Sequence, residues 1–346
     1  MPIILAIESS CDETSASVCV DGKIMSNVIA TQSIHEKYGG VVPELASRAH
    51  IENIVPVVEE AIKGIENLGL DISEQNVEHR TPNNLHRIDA IAFTQAPGLI
   101  GSLLVGTQFA KSMALALDKP LIAVHHMQAH VLANLIGHDK PTFPFLCLTV
   151  SGGHTQIVVA HSPITLEIIG QTIDDAAGEA FDKIAKLLGL PYPGGPLIDK
   201  YAKLGNPLQY KFAEPQMPEL NFSFSGLKTS VLYFLQKQNA DFIENNLNNL
   251  CASVQHTICN ILVKKMKKAI VQTGIKQICL AGGVSANSGL RNAFENLGKE
   301  MNCKTFIPSF EYCTDNAAMI AITGFYKYLA NDFVDLSISP SARAEW

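Results

Sequence analysis

The sequence is short of several things, and each shortage excludes something. Its 346 residues include one tryptophan, and only 17% of residues are charged against 47% hydrophobic. That balance leaves ample material for a core and excludes a disordered chain. No apolar run approaches the ~18–20 residues that span a bilayer, so no membrane segment is expected. No basic stretch precedes the short apolar run that ends at Glu8. Met1 to Ser10 therefore reads as a strand rather than a signal peptide, and the expected location is the cytoplasm.

Cysteine pairs of the CxxC type are missing too. Cys11, Cys19, Cys147, Cys251, Cys259, Cys279, Cys303 and Cys313 sit mostly in apolar runs, where a thiol packs as a small hydrophobe. They are expected to be reduced and mostly buried, with no zinc–thiolate site. Excess positive charge is also absent, since the net charge is −7. A protein that grips nucleic acid alone is usually basic. Either there is no nucleic-acid partner, or the contact is local or shared with another subunit. The one basic cluster, Lys264, Lys265, Lys267 and Lys268, lies in a helical stretch and reads first as a solvated helix face.

What the chain does contain is strand and helix in alternation, the mark of an α/β protein. Its length suggests about two domains at ~150 residues each. An apolar run, Ile3 to Ile7, is followed by the polar turn Glu8 to Ser15 and a second β-rich run, Ala16 to Val20. The pattern recurs about 140 residues later. There Phe145 to Val150 leads through Ser151, Gly152, Gly153, His154 and Thr155 into Gln156 to Ala160. The two hairpins read as the openings of two similar lobes. Helices are expected over Glu44 to Lys63 (with Pro56 placed to kink it), Ser102 to Leu117, Asp175 to Gly189 and Leu247 to Thr273. Strands are expected over Ile88 to Thr94, Lys119 to Val124 and Lys276 to Ala281. The polar stretch Asp71 to Arg87 reads as a surface insertion.

Three constellations could carry chemistry. His126 and His130 are four apart, so on a helix they share a face and can grip one metal ion. A zincin protease needs a Glu directly after the first His, and this chain has Met127 there. An isolated HxxxH is equally a pair of surface or capping histidines. Asp315 precedes a helix of small residues, so it is either an N-cap or a third, hard ligand. The glycine pairs Gly152-Gly153, Gly194-Gly195 and Gly282-Gly283 stand at turns where backbone N–H groups could approach a phosphate or sugar. None forms a Walker loop or a Rossmann fingerprint.

These residues carry a resemblance. Glu8 to Ser15 (ESSCDETS), His126-xxx-His130, Ser151 to Thr155 (SGGHT), Asp174 to Lys183 (DDAAGEAFDK), Pro193 to Pro196 (PGGP), Phe222 to Lys228 (FSFSGLK), Ala281 to Asn287 (AGGVSAN) and Cys313 to Asn316 (CTDN) stand in one family's order. From about residue 3 to about residue 330, the chain resembles the bacterial TsaD family, the tRNA N6-adenosine threonylcarbamoyltransferases once classed as glycoproteases (Gcp). A polar insertion near Val77 to Arg87 departs from the family pattern. The resemblance implies a two-lobed actin-like ATPase (ASKHA) fold in which each lobe opens with a hairpin. It places the N-terminal lobe at residues 1–118, with a C-terminal helix of about 325–346 packing back on it, and the C-terminal lobe at 119–324.

The implied activity is transfer of a threonylcarbamoyl group from threonylcarbamoyl-AMP to N6 of adenosine 37, in tRNAs that read codons beginning with A. The implied ligands of one divalent metal ion per subunit, iron first with zinc as the alternative, are His126, His130 and Asp315. Thr149, Val150, Ser151, Gly152, Gly153, Asp182, Gly195 and Asn287 would hold the adenylate in a cleft, with Asp199 at the ribose. Asp12 and Glu13 are the candidate bases for the amine proton. The implied partners are tRNA, a TsaB-like paralogue, a TsaE-like ATPase and a TsaC-like enzyme that supplies the adenylate. The helix face bearing Ile51, Ile54, Val55 and Val58 is a candidate contact for the paralogue, although it could equally cover its own sheet. A metalloprotease, an ATPase or kinase of the same fold and a non-catalytic scaffold paralogue are the rival readings.

Overall fold

The structure is a computed structural model that describes residues 1–68, 85–215 and 217–344. The expected insertion lies outside the described residues up to position 84, and Leu85–Arg87 forms a single 3-10 turn.

The chain runs β1 (Ile3–Glu8), β2 (Glu13–Val20), β3 (Lys23–Thr31), α1 (Pro43–Ile62), β4 (Ala90–Ala96), α2 (Ile100–Leu117), β5 (Leu121–His125) and α3 (His126–Leu132). It continues with β6 (Phe145–Val150), β7 (Thr155–Ser162), β8 (Thr165–Gln171), α4 (Ala177–Leu187), α5 (Gly194–Ala202), α6 (Ser225–Leu235) and α7 (Phe242–Thr273). β9 (Gln277–Ala281), α8 (Ser288–Met301), β10 (Lys304–Phe306) and α9 (Ala317–Leu329) complete it.

Two compact units result. The first holds Met1–His35, Val41–His138 and Asp315–Trp346, and the second holds Glu36–Gly40 and Asp139–Thr314. The expected lobe boundaries at 118 and 324 differ from these. β5 pairs with β4 and completes the first sheet, and all of α9 packs on β1, β2 and β3. The expected helix at about 325–346 stops at Leu329. Beyond it the described residues, to 344, are irregular, and Val334 bridges to Leu121.

Each unit contains a five-stranded sheet of one topology, β3-β2-β1-β4-β5 in the first and β8-β7-β6-β9-β10 in the second. In both, the opening hairpin is antiparallel and the next strand inward joins it in parallel. The two hairpins read from the sequence therefore do open two similar sheets. β3 and β8 lie outside the expected strands. Both are edge strands with mixed exposure and no continuous apolar run.

β1 is buried along its whole length because helices cover both faces of its sheet. Ile3, Leu5 and Ile7 pack in a core with Ile54, Val57 and Val58 of α1 and Ala110 of α2. On the other face, Gly324 of α9 approaches so closely that a Cβ there would lie 2.7 Å from Ala92 Cβ and 3.3 Å from Ile4 Cγ2. α1 runs unbroken through Pro56. Its apolar stripe is wider than its buried face: Ile54 and Val58 are buried, while Ile51 is 63% and Val55 48% exposed.

α2 corrects the expectation that no segment is long and apolar enough to span a bilayer. It is one such helix by length and composition. Its hydropathy comes from small residues mixed with leucines, and in the structure Leu103, Gly106, Ala110 and Ala114 are buried in the first unit. Six of the eight cysteines are buried and all eight are free thiols, as expected.

In the second unit α7 lies along a core of Phe181, Phe222, Phe224 and Phe294. Its lysines are not a bare solvated face. Lys265 Nζ donates to the carbonyls of Met217 and Glu219, Lys268 Nζ donates to Glu219, Lys264 pairs with Glu214, and Lys267 pairs with Glu300.

The close seat of α9 yields a prediction. Gly324→Ala should overpack the first sheet and cost about 1–3 kcal/mol. Urea unfolding would read this as a lowered midpoint, whereas an unchanged midpoint would contradict the packing described here.

Candidate functional site

α3 begins where β5 ends, and His125 caps it, with Nδ1 accepting from the Met127 N–H. Helical spacing then stacks His126 and His130 on one face, with their Nε2 atoms 3.2 Å apart. Asp315 precedes α9 and brings Oδ1 to 3.1 Å from His130 Nε2 and 3.4 Å from His126 Nε2. It is not the N-cap of α9. Asn316 takes that role, its Oδ1 accepting from Met319 N at 3.1 Å.

All three donor atoms belong to the first unit and could hold one metal ion. Bonds of about 2.0–2.2 Å to a common ion put neighbouring donors roughly 3.0–3.5 Å apart. The observed triangle of 3.1, 3.2 and 3.4 Å has that size. Two facing imidazole nitrogens and a carboxylate oxygen are satisfied together only by a proton or a cation. The residues present therefore fit a metal.

Behind His126 stands Glu8, the last residue of β1, which is fully buried. Its Oε2 lies 3.1 Å from His126 Nδ1 and accepts the Thr94 hydroxyl at 2.5 Å, while Oε1 accepts the Ser10 N–H at 2.5 Å. The sequence reading used Glu8 only as the start of a motif. The available signal was a carboxylate closing an otherwise apolar strand, a group that must find partners if buried.

The charges support one another. Burial pushes Asp315 up, but the charges and hydrogen bonds of His126 and His130 outweigh it and hold the carboxyl well below the usual range. Burial also pushes Glu8 up, and His126 again prevails and lowers it. Burial pushes His126 down, yet Asp315 and Glu8 hold it well above an ordinary histidine. Burial lowers His130, and the hydrogen bond to Asp315 offsets this only in part.

Asp12 and Glu13 follow on the hairpin. The turn before them is clamped by His50 of α1, which bonds the Cys11 carbonyl at 3.0 Å and the Thr14 hydroxyl at 2.7 Å. Ser102 of α2 also donates to Cys11 O, at 3.1 Å. Burial first, then the charges of Asp315 and Asp12, push Glu13 up to about 9.

The expected substrate residues all lie in the second unit: Thr149 to Gly153 run from the end of β6 into the turn after it, Asn287 follows β9, the parallel neighbour of β6, and Asp182, Gly195 and Asp199 lie in α4 and α5. Thr149 and Val150 are buried within β6, so only the turn after them is presented. That turn is closed by Ser151 N donating to His154 O at 2.8 Å, and Gly152 and Gly153 are exposed on it with open space around them. Gly282 must be glycine: its φ is +83°, and a Cβ would meet Val150 O at 2.5 Å. Asp182 Oδ1 accepts the Gly194 and Gly195 N–H groups at 2.8 and 3.2 Å and so holds the start of α5. Burial raises its carboxyl. Asn287 caps α8 through Leu290 N and donates to Gln255, while Asp199 accepts both the N–H and the hydroxyl of Ser288. Asp182 is thus joined to Gly195, and Asp199 to the residue after Asn287.

A family model described as TsaD: tRNA N6-adenosine threonylcarbamoyltransferase matches residues 23–322. The chain belongs to the TsaD family. It is 56% identical over 346 residues to the tRNA N6-adenosine threonylcarbamoyltransferase of Christiangramia forsetii, covering 98% of this chain and 97% of that one. It is 55% identical over 349 residues to the protein of that name from Porphyromonas gingivalis, covering 99% and 98%. Among solved structures, HypF from T. kodakarensis superimposes with a TM-score of 0.65 at 15% identity, over 96% of this chain and 48% of that one. This chain thus spans about half of HypF. Component A of the Acidaminococcus fermentans (R)-2-hydroxyglutaryl-CoA dehydratase gives a TM-score of 0.51 at 12% identity, over 95% and 98%. These likenesses show the fold, which is the actin-like (ASKHA) one with a duplicated sheet.

In this TsaD-family chain a metal ion must displace the proton that His126 holds beside Asp315. Zinc uptake should therefore release a proton, and affinity should rise about tenfold per pH unit until the raised His126 value is passed. Titrations in buffers of different ionisation enthalpy would read this. Affinity independent of pH between 5 and 8 would contradict it.

Proposed function

We infer that the chain transfers the threonylcarbamoyl group of threonylcarbamoyl-AMP to N6 of adenosine 37, in tRNAs that read codons beginning with A. Membership of the TsaD family along almost the whole chain is the observation that carries this reading. His126, His130 and Asp315 hold one divalent ion, iron first with zinc as the alternative, since two imidazoles and a carboxylate suit both. That ion supplies Lewis acidity toward phosphate and carbonyl oxygens.

The remaining work falls to the chain's own groups. The donor is a mixed carbamoyl-phosphate anhydride whose adenylate is already a fair leaving group. The task is to hold a weak nucleophile, the exocyclic amine, against the carbonyl. The exposed Gly152 and Gly153 of the turn after β6 present backbone N–H groups to the phosphate without a side chain in the way. Thr149 and Val150 fix that turn from β6. Asp182 and Gly195 form the α5 side of the adenylate site, and Asn287 and Asp199 form the α8 side, with Asp199 at the ribose. Asp12 or Glu13 accepts the amine proton. Glu13 carries a proton of its own at neutral pH, so it serves only once positive charge near Asp315 has lowered it.

The engagement of Lys264, Lys265, Lys267 and Lys268 within their own unit supports shared rather than solitary tRNA binding. A TsaB-like paralogue and a TsaE-like ATPase complete the machinery, and a TsaC-like enzyme supplies the adenylate. The outward Ile51 and Val55 of α1 support that helix as the paralogue's contact. The setting is the cytoplasm.

The test is transfer of labelled threonine to tRNA by the purified chain with these partners. Label in tRNA is expected, with little from the chain alone. ATP turnover that needs no tRNA, with no label transferred, would favour the kinase or ATPase reading. Gly195→Val should raise the KM for the adenylate about tenfold, some 1.4 kcal/mol. An unchanged KM would make this turn purely structural.

A further inference from the structure

We propose that Glu8 is a positioning residue for the metal centre: it fixes the ring orientation and tautomer of His126 and thereby sets the affinity for the ion. The proposal rests on reading His126, His130 and Asp315 as metal ligands. Its basis is the geometry around a carboxylate with no access to solvent. An ionised carboxylate only accepts hydrogen bonds. Glu8 spends Oε1 on the Ser10 N–H, and Oε2 on the Thr94 hydroxyl and on His126 Nδ1, at 2.5, 2.5 and 3.1 Å. The first two donors come from the hairpin turn and from β4, so they pin the carboxylate from two elements. His126 Nδ1 also lies 3.2 Å from the Ser10 hydroxyl, which can donate or accept, but the carboxylate can only accept, so Nδ1 carries the proton and the lone pair of His126 is left on Nε2, the atom that faces His130 and Asp315.

His130 has no such support. Its Nδ1 is buried and, among the described residues, without a hydrogen-bond partner. The two imidazoles are therefore unequal, and one carboxylate orients only one of them.

Glu8→Gln tests this without changing side-chain size. An amide nitrogen in place of Oε1 would set a donor against the Ser10 N–H, and one in place of Oε2 would set a donor against the His126 Nδ1 proton while the Thr94 hydroxyl turns to accept. Relief comes when His126 moves its proton to Nε2, the ligand position. Competition for Zn²⁺ against a chromophoric chelator should show a loss of affinity on the order of 10–100-fold, which is the range for lost outer-sphere partners. Thr94→Val removes one pinning donor and keeps the Glu8–His126 bond, so its loss should be smaller. Thermal melting of each variant shows whether it is folded. Should Glu8→Gln fail to fold, long-range ¹H–¹⁵N NMR on the unmutated zinc-loaded chain still decides. The expected spectrum has a proton on His126 Nδ1 and a metal-shifted Nε2, and the reverse assignment would overturn the proposal. His130→Ala is the control. If it loses zinc while folded Glu8→Gln binds within twofold of the wild type, the role of Glu8 is wrong and the metal centre stands. If His130→Ala also binds normally, the metal centre itself is wrong.

Discussion

Two carboxylates and two imidazoles meet inside the first unit, where Glu8 and His130 are shut off from solvent and Asp315 is partly exposed. Burying Glu8 as an anion beside the partly exposed Asp315 is tolerable only if positive charge sits among them, and His126 is the side chain placed to carry it. The arrangement of this unit follows from that need. β1 ends in the carboxylate, β4 brings Thr94 to it, and α3 aims both rings one turn apart. α9, seated through Gly324 on Ile4 and Ala92, begins just after Asp315 and fixes its place. A proton on His126 satisfies the cluster without metal, and a divalent ion satisfies all three donors at once.

The second unit repeats the sheet order and uses it differently. Its hairpin turn has no carboxylate pair. Gly152 and Gly153 stand there with open space, behind a strand whose Thr149 and Val150 are buried. Nearby glycines such as Gly282 are demanded by contacts within the chain, which separates glycines the fold needs from glycines it leaves open. One duplicated scaffold thus offers a cluster that could hold a cation in one copy and an exposed backbone turn in the other.

Much of this was legible in residue order. The alternation of strands and helices, the paired hairpins and the helical spacing of His126 and His130 are local patterns, and local patterns survive without tertiary information. Asp315 was legible as one of two options, and only the structure shows that Asn316 is the cap. Glu8 was not singled out, because its role depends on Thr94, 86 residues away, and on His126, 118 away. The division into compact units was not legible for the same reason, since the return of all of α9 to the first sheet is a long-range event. β3 and β8 escaped because half-exposed edge strands lack a continuous apolar run. The lysines of α7 read as a free charged face, but Lys264, Lys265 and Lys268 find partners in a loop some fifty residues upstream, and Lys267 finds Glu300 on α8 downstream.

The central claim is that one ion is held by His126, His130 and Asp315 in the first unit. Anomalous diffraction at the absorption edge of the metal, from crystals of the metal-loaded chain, tests it most directly. The account predicts a single peak bonded to Nε2 of both histidines and to the Asp315 carboxylate. A peak at other residues, or none at full loading, would contradict it.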